Sequence, residues 1–147
     1  MTTAMLGDRI VISNDVAELR RMTTWLRACA DAAEIPPELV HKLDICANEA
    51  VTNIISYAYD DGRRHEIALE LVETASGVSL VIRDDGKPFN VREAPAHAKP
   101  ASLDDAEIGS LGIHLMRRLM PHFDYRRENG VNVLSLNTEY KLPHANA

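Results

Sequence analysis

The chain has 147 residues, 46% of them hydrophobic and 26% charged. That length is one domain at the usual ~100–200 residues per domain, and the composition excludes disordered, fibrous and low-complexity classes. Sixteen Lys and Arg against 22 Asp and Glu leave a net charge of -6, which repels a phosphate backbone unless basic residues cluster on one face, so no direct nucleic-acid partner is expected. The N-terminus lacks a signal-peptide pattern and no apolar run reaches the ~18 residues of a membrane span, so the expectation is a cytoplasmic protein with no membrane partner.

Arg9–Ser13 is short and β-branched and is followed by Asn14-Asp15, which suits an edge strand ending at a helix N-cap. From Val16 to Glu34 the period changes to three and four, with Leu19, Met22, Leu26 and Cys29 on one stripe. Pro36-Pro37 ends that helix, and Pro37 fits the first turn of the next. The second helix carries a stripe of Val40, Leu43, Ala47, Ala50 and Ile54 until Asp60-Asp61-Gly62 breaks it. Cys29 and Cys46 lie within these helical patterns without a Cys-x-x-Cys pair, and are read as reduced core thiols.

Glu66–Glu73 and Val78–Arg83 alternate around Ala75-Ser76-Gly77, an antiparallel hairpin. Residues 87–108, with Pro88, Pro95 and Pro100, show no period; a loop of ~20 residues in a compact domain is commonly a lid or a binding loop. Leu111–Met120 reads as a third helix stopped by Pro121. Phe123–Arg126 and Val131–Asn137 read as two strands around Glu128-Asn129-Gly130, and the chain from about 142 to 147 as a frayed tail. This order predicts a single α/β domain over 1–147, a two-layer sandwich whose mixed, mostly antiparallel sheet is covered by helices on one face.

Three features can carry chemistry. Glu49 and Asn53 sit one helical turn apart, offset from the apolar stripe; a carboxylate beside a carboxamide suits proton acceptance and coordination of a hard cation, although such a pair alone also fits a solvated polar face. Asp84-Asp85-Gly86 ends a strand, where a buried carboxylate can accept from an exocyclic amine and a glycine permits close approach; taken alone it reads first as an ordinary Asp-Gly turn. Gly109-Ser110-Leu111-Gly112 opens the third helix, where unpaired N–H groups and the helix dipole suit phosphate, or where Ser110 is simply a cap. The P-loop and the dinucleotide Gly-x-Gly-x-x-Gly patterns are missing from the sequence.

In this order the three resemble a known family. Glu49-Ala-Val-Thr-Asn53, Asp84-Asp-Gly86-Lys-Pro-Phe89 and Gly109-Ser-Leu-Gly112-Ile-His-Leu are similar to the N, G1 and G2 boxes of the GHKL ATPase superfamily, specifically its small bacterial anti-sigma-factor serine kinases, over roughly Ile10 to Leu136. The resemblance implies a Bergerat fold binding Mg-ATP, with Asn53 holding Mg2+, Glu49 the general base, Asp84 reading the adenine amino group, and Gly86, Gly109, Ser110, Leu111 and Gly112 lining the nucleotide. It implies partner switching in transcription regulation: phosphorylation of a STAS-domain anti-sigma factor antagonist on serine or threonine, and alternate binding of a sigma factor. Homodimerisation is common in the family and is carried as an expectation. Leu111 departs from the family, since glycine is common there. An alternative reading is a non-catalytic ATP-dependent module that sequesters a sigma factor or other partner. A histidine-kinase catalytic domain fits less well, because His41 lacks a phosphoacceptor context and Glu49 stands where those proteins have asparagine. Arg126-Arg127 reads as a solvated strand end.

Overall fold

The computed structural model describes residues 4–88, 116–120 and 122–143. Two short strands, β1 (Ala4–Met5) and β2 (Ile10–Ser13), lead through a 3-10 turn at Val16–Glu18 into α1 (Leu19–Ala32) and α2 (Pro37–Tyr57). The hairpin β3 (Glu66–Thr74) and β4 (Gly77–Asp84) follows, and β5 (Phe123–Glu128) and β6 (Val131–Asn137) complete the sheet. Residues 116–119 are helical, which is the end of the predicted third helix. The earlier part of that helix, residues 89–108 of the predicted lid, and Gly109, Ser110, Leu111 and Gly112 lie outside the described residues.

Local chemistry accounts for the boundaries. The Asp15 carboxylate accepts from the Ala17 amide at 2.9 Å, satisfying an unpaired donor at the helical start. After Ala32, Glu34 turns into the left-handed region at φ 59, Ile35 N–H donates to the Ala30 carbonyl, and Pro36-Pro37 redirects the chain into α2.

The sheet runs β1-β3-β4-β6-β5, with β2 also pairing β3, and every ladder among the described residues is antiparallel. β1 was not anticipated. It and β2 lie end to end on one edge of β3, Ala4 opposite Glu73 and Ile10 opposite Leu69. The excursion between them turns at Gly7, where φ is 87 and an added Cβ would stand 2.6 Å from Cys29 Sγ.

Strand register decides what the helices cover. Leu71, Leu80, Leu136 and Phe123 form one cross-strand row, and Ile10, Leu69, Ile82, Leu134 and Tyr125 form the next. Apart from the partly exposed Tyr125, these residues are buried in one cluster with Met22, Leu26, Leu43, Ala47, Ala50 and Val51 of the helices. The helices therefore lie on one face, as predicted. On the other face Val72, Val81 and Val133 form a smaller group. Between the helices, Asp44 accepts from Thr23 at 2.9 Å, Arg27 at 3.0 Å and Asn48 at 2.9 Å, which sets their relative position with directional bonds.

Two expectations change. Asn53 is only 4% exposed and belongs to the inward side of α2 rather than to a flank offset from it, because Cys46, Ala50 and Val51 pull that side round. Leu142, expected at the start of a frayed tail, is 1% exposed and packs into the main core. Cys29 and Cys46 are buried free thiols, as read.

Leu80 sits on central β4 and has no exposed surface. Leu80→Ala is expected to lower unfolding free energy by about 2–5 kcal/mol in urea titration, the range for a cavity in a core that relaxes only partly.

Candidate functional site

The third cross-strand row abandons the apolar pattern. Ile12 and Ile67 continue it from the edge, but Asp84, Asn132 and Arg127 follow on β4, β6 and β5. Small and medium residues of α2 face this polar patch, and the gap between them is a cavity lined by Ala50, Asn53, Ile54, Ala58, Asp84 and Asn132, among others.

Asp84 is 6% exposed and its Oδ1 accepts from Gly86 N–H at 2.9 Å and Asn132 Nδ2 at 3.0 Å. Burial pushes its carboxyl above the ordinary aspartate range; the Asn132 and Gly86 donors act against that, Asp85 adds to it and Arg127 opposes it. Oδ2 has no hydrogen-bond partner among the described residues. Asp84 is thus an acceptor with one oxygen saturated and the other available to a ligand's donor.

The turn after Asp84 is held from both sides. Lys87 N–H donates to the Ala58 carbonyl at 2.9 Å, joining it to the end of α2. Arg127 donates to the Gly86 carbonyl at 2.9 Å and Asn132 to the Lys87 carbonyl at 2.8 Å. A Cβ on Gly86 would lie 2.4 Å from Ala58 Cβ and 2.7 Å from the Ala58 carbonyl oxygen, so only glycine permits this approach. The Tyr59 hydroxyl donates to Asp85 at 3.2 Å while its ring stacks on His65 with centroids 4.0 Å apart. Lys87 also pairs with Asp60 at 2.8 Å.

Asn53 presents a different problem. Its Oδ1 is buried and has no hydrogen-bond partner among the described residues. An orphaned carbonyl oxygen in a cavity is costly to leave unmade and is a suitable neutral ligand for a hard cation. The donor set fits Mg2+, which takes one or two protein oxygens and completes its shell with water and phosphate oxygens. Among the described residues no group of three or more His, Cys, Asp or Glu gathers as a self-sufficient metal site.

Glu49 is half-buried one turn earlier on α2, about 6 Å along the axis from Asn53, and is not part of the cavity wall. Burial raises its carboxyl above the ordinary glutamate range. Burial of the Cys46 thiol, and after it the nearby Glu49 charge, push that thiol up to about 12.

Asn53 and Asp84 line one cavity, Gly86 lies on the turn that follows Asp84, and Glu49 stands one helical turn from Asn53 outside the cavity wall. Asn132, Tyr125 and Arg127 were missed. Asn132 stands at an inward position of β6, in alternation with Leu134 and Leu136, so a polar residue there is the trace that period-two reading offers. Arg127 is exposed, as a solvated strand end should be, yet it also ties Gly86 to Asn132, while Arg126 pairs with Glu128.

Comparison with known proteins places the chain in a family. A family profile described as histidine kinase-like ATPase domain matches residues 12–138. The chain is 36% identical over 121 residues to serine/threonine-protein kinase BtrW of Bordetella bronchiseptica, covering 82% of this chain and 84% of that protein. It is 28% identical over 102 residues to serine-protein kinase RsbW of Bacillus pumilus, covering 65% of this chain and 63% of that relative, just under two thirds of its length. Among solved structures, the histidine kinase domain of the blue-light activated histidine kinase EL346 of Erythrobacter litoralis aligns with TM-score 0.51 at 15% identity, over 82% of this chain and 58% of that one, a likeness of fold. The chain belongs to the histidine kinase-like ATPase family of the GHKL superfamily, in its branch of bacterial anti-sigma-factor kinases. Its enzyme class is protein serine/threonine kinase. No helix among the described residues is long and apolar enough to cross a membrane.

Gly86→Ala is expected to cost about 1–3 kcal/mol in chemical denaturation, as over-packing does where the opposing atoms include backbone.

Proposed function

We propose that the protein binds Mg-ATP in the cavity between α2 and the Asp84 turn and phosphorylates a serine or threonine of a STAS-domain anti-sigma factor antagonist, alternating between that partner and a sigma factor. The observation that carries this reading is the pair formed by Asp84 and Asn53: a buried acceptor held ready for an amine, and an orphaned buried oxygen in the wall of the same cavity. Along α2 the order is Ala58 beside the Asp84 turn, then Asn53, then Glu49, each about 1.5 Å of axis per residue from the next position. A base at the Asp84 end, phosphates toward Asn53 and an acceptor hydroxyl near Glu49 follow that order.

In this arrangement Asp84 Oδ2 accepts from the adenine amino group, and Gly86 lets the backbone lie close to the base. Gly109, Ser110, Leu111 and Gly112 are proposed, on the resemblance of their sequence, to contact the phosphates. Asn53 would hold Mg2+, which supplies charge neutralisation at the phosphates when bound. Glu49 takes the proton of the acceptor hydroxyl as its oxygen forms the new bond to the γ-phosphorus, and the bond to the bridging oxygen breaks to leave ADP. Its raised carboxyl range suits this, since a carboxylate whose proton affinity is raised by burial is the stronger base. Phosphoryl transfer asks mainly for positioning and charge compensation, which an acidic chain must supply locally. A homodimer is part of the proposal.

Glu49→Ala is expected to retain Mg-ATP binding by calorimetry and to lose about 100-fold or more of radiolabel transfer to the antagonist, the scale of a general base. An unchanged transfer rate would reassign the base, and the non-catalytic sequestering module would be the reading if the unaltered protein binds Mg-ATP but transfers nothing. Asp84→Asn is expected to weaken ATP by more than about tenfold, 1.4 kcal/mol. For the unaltered protein, calorimetry across pH should show ATP affinity falling as acidification protonates Asp84. Because burial raises that group, the loss begins above the range of an ordinary aspartate.

A further inference from the structure

The polarity of the Asn132 side chain is fixed by its neighbours. On one side the Tyr125 hydroxyl and Arg127 Nη1 both approach its Oδ1, the latter at 2.9 Å. On the other side its Nδ2 faces Asp84 Oδ1 at 3.0 Å and the Lys87 carbonyl at 2.8 Å. Arginine has only donors and a backbone carbonyl only accepts, so the amide has a single orientation that satisfies both sides. Asn132 is 5% exposed, and this saturated set of contacts sits on neighbouring β6 rather than on the strand that carries Asp84.

A consequence follows for Asp84. With Gly86 N–H and Asn132 Nδ2 both donating to Oδ1, that oxygen cannot carry a proton, and the carboxylate cannot turn without leaving two buried donors unpaired. Oδ2 alone addresses a ligand, and when Asp84 is ionised it offers only an acceptor. We propose that Asn132, braced by Tyr125 and Arg127, is a positioning residue that makes the site select a purine with an amino group at its 6-position over one with an oxo group. The inference rests on the reading of Asp84 as the base contact. A 6-oxo purine brings a carbonyl oxygen against a fixed carboxylate oxygen, two acceptors with no proton between them. Without Asn132 the carboxylate can rotate, and water in the vacated space can donate to either group, so discrimination falls.

The test compares ATP with ITP, its 6-oxo counterpart, by calorimetry on the full chain with Mg2+. The unaltered protein is expected to prefer ATP by about 100-fold, and Asn132→Ala to reduce that ratio by about tenfold. The variant should also show its acid loss of ATP affinity at higher pH than the unaltered protein, since a donor that favours the ionised carboxylate is gone. Asp85, Arg127, Lys87 and Tyr59 remain around Asp84 in both proteins, so the shift reports the amide. A merely structural role would weaken ATP and ITP together and leave the pH limb in place.

Arg127→Ala keeps Asn132 but removes the donor shared by its Oδ1 and the Gly86 carbonyl. It lies on an exposed stretch of β5, so it tests the same point if Asn132→Ala does not fold, and the ratio should fall in the same direction. A wild-type ATP preference that neither variant changes would overturn the role of Asn132 while leaving the Asp84 contact intact. Equal binding of ATP and ITP by the unaltered protein, or binding of neither, would overturn the Asp84 contact and this inference with it.

Discussion

A carboxylate buried at the end of β4 is the constraint around which this molecule is arranged. Removing Asp84 from water is unfavourable unless its oxygens are hydrogen-bonded, and no apolar neighbour can do that. Two donors are supplied to Oδ1, one by the turn that follows and one across the ladder from Asn132. Asn132 in turn requires its own partners, which come from β5 and from the carbonyls of residues 86 and 87. Antiparallel registry is what makes this possible, because Asp84, Asn132 and Arg127 are direct cross-strand partners on the cavity-facing side. A slip of one residue in either ladder would turn part of the set to the opposite face.

The helix layer answers the same constraint. Where the sheet rows are leucine and isoleucine, α2 and α1 press side chains into them. Where the row turns polar, α2 offers the small Ala50 and Ala58 and the polar Asn53 beside Ile54, and a cavity remains. Ala58 has a double part: its small side chain admits Gly86, and its carbonyl accepts from Lys87. The binding region thus follows from side-chain volume along one helix combined with polarity along one sheet row, both set by residues that also stabilise the fold.

Much of this was legible in the chain. The period change at Val16, the paired prolines at 36 and 37, and the alternation on either side of Gly77 gave the helices and the hairpin, because each depends on neighbours close in sequence. The glutamate and asparagine four apart, and Asp-x-Gly at a strand end, pointed to the site through the resemblance they carry together. What escaped depends on contacts distant in sequence. β1 is only two residues long and exists because β3 offers an unpaired edge. Arg127 and Arg126 look alike in sequence and are both exposed, and only the pleat gives Arg127 its bonds to Gly86 and Asn132 while Arg126 pairs with Glu128. Leu142 lies beyond the last strand, where local pattern ends, yet the core takes it in.

Stability and chemistry pull against each other at three residues. Asp84 and Glu49 are both raised above the values of an unfolded chain by burial, so the fold binds their protons more readily than the unfolded state does. By linkage, their contribution falls as pH rises from the ordinary carboxylate range through their raised values, and the ionised forms are the costly ones at neutrality. Asn53 adds an unmatched buried oxygen. Under the proposed function each of these costs would have the same remedy, since an amine, an acceptor hydroxyl and a cation are the groups proposed to meet the three side chains. A site that is strained when empty and relieved when filled gains affinity from its ligand only if the surrounding structure does not relax first. The Asn132 clamp, the Ala58–Gly86 contact and the Asp44 cluster between the helices supply that resistance.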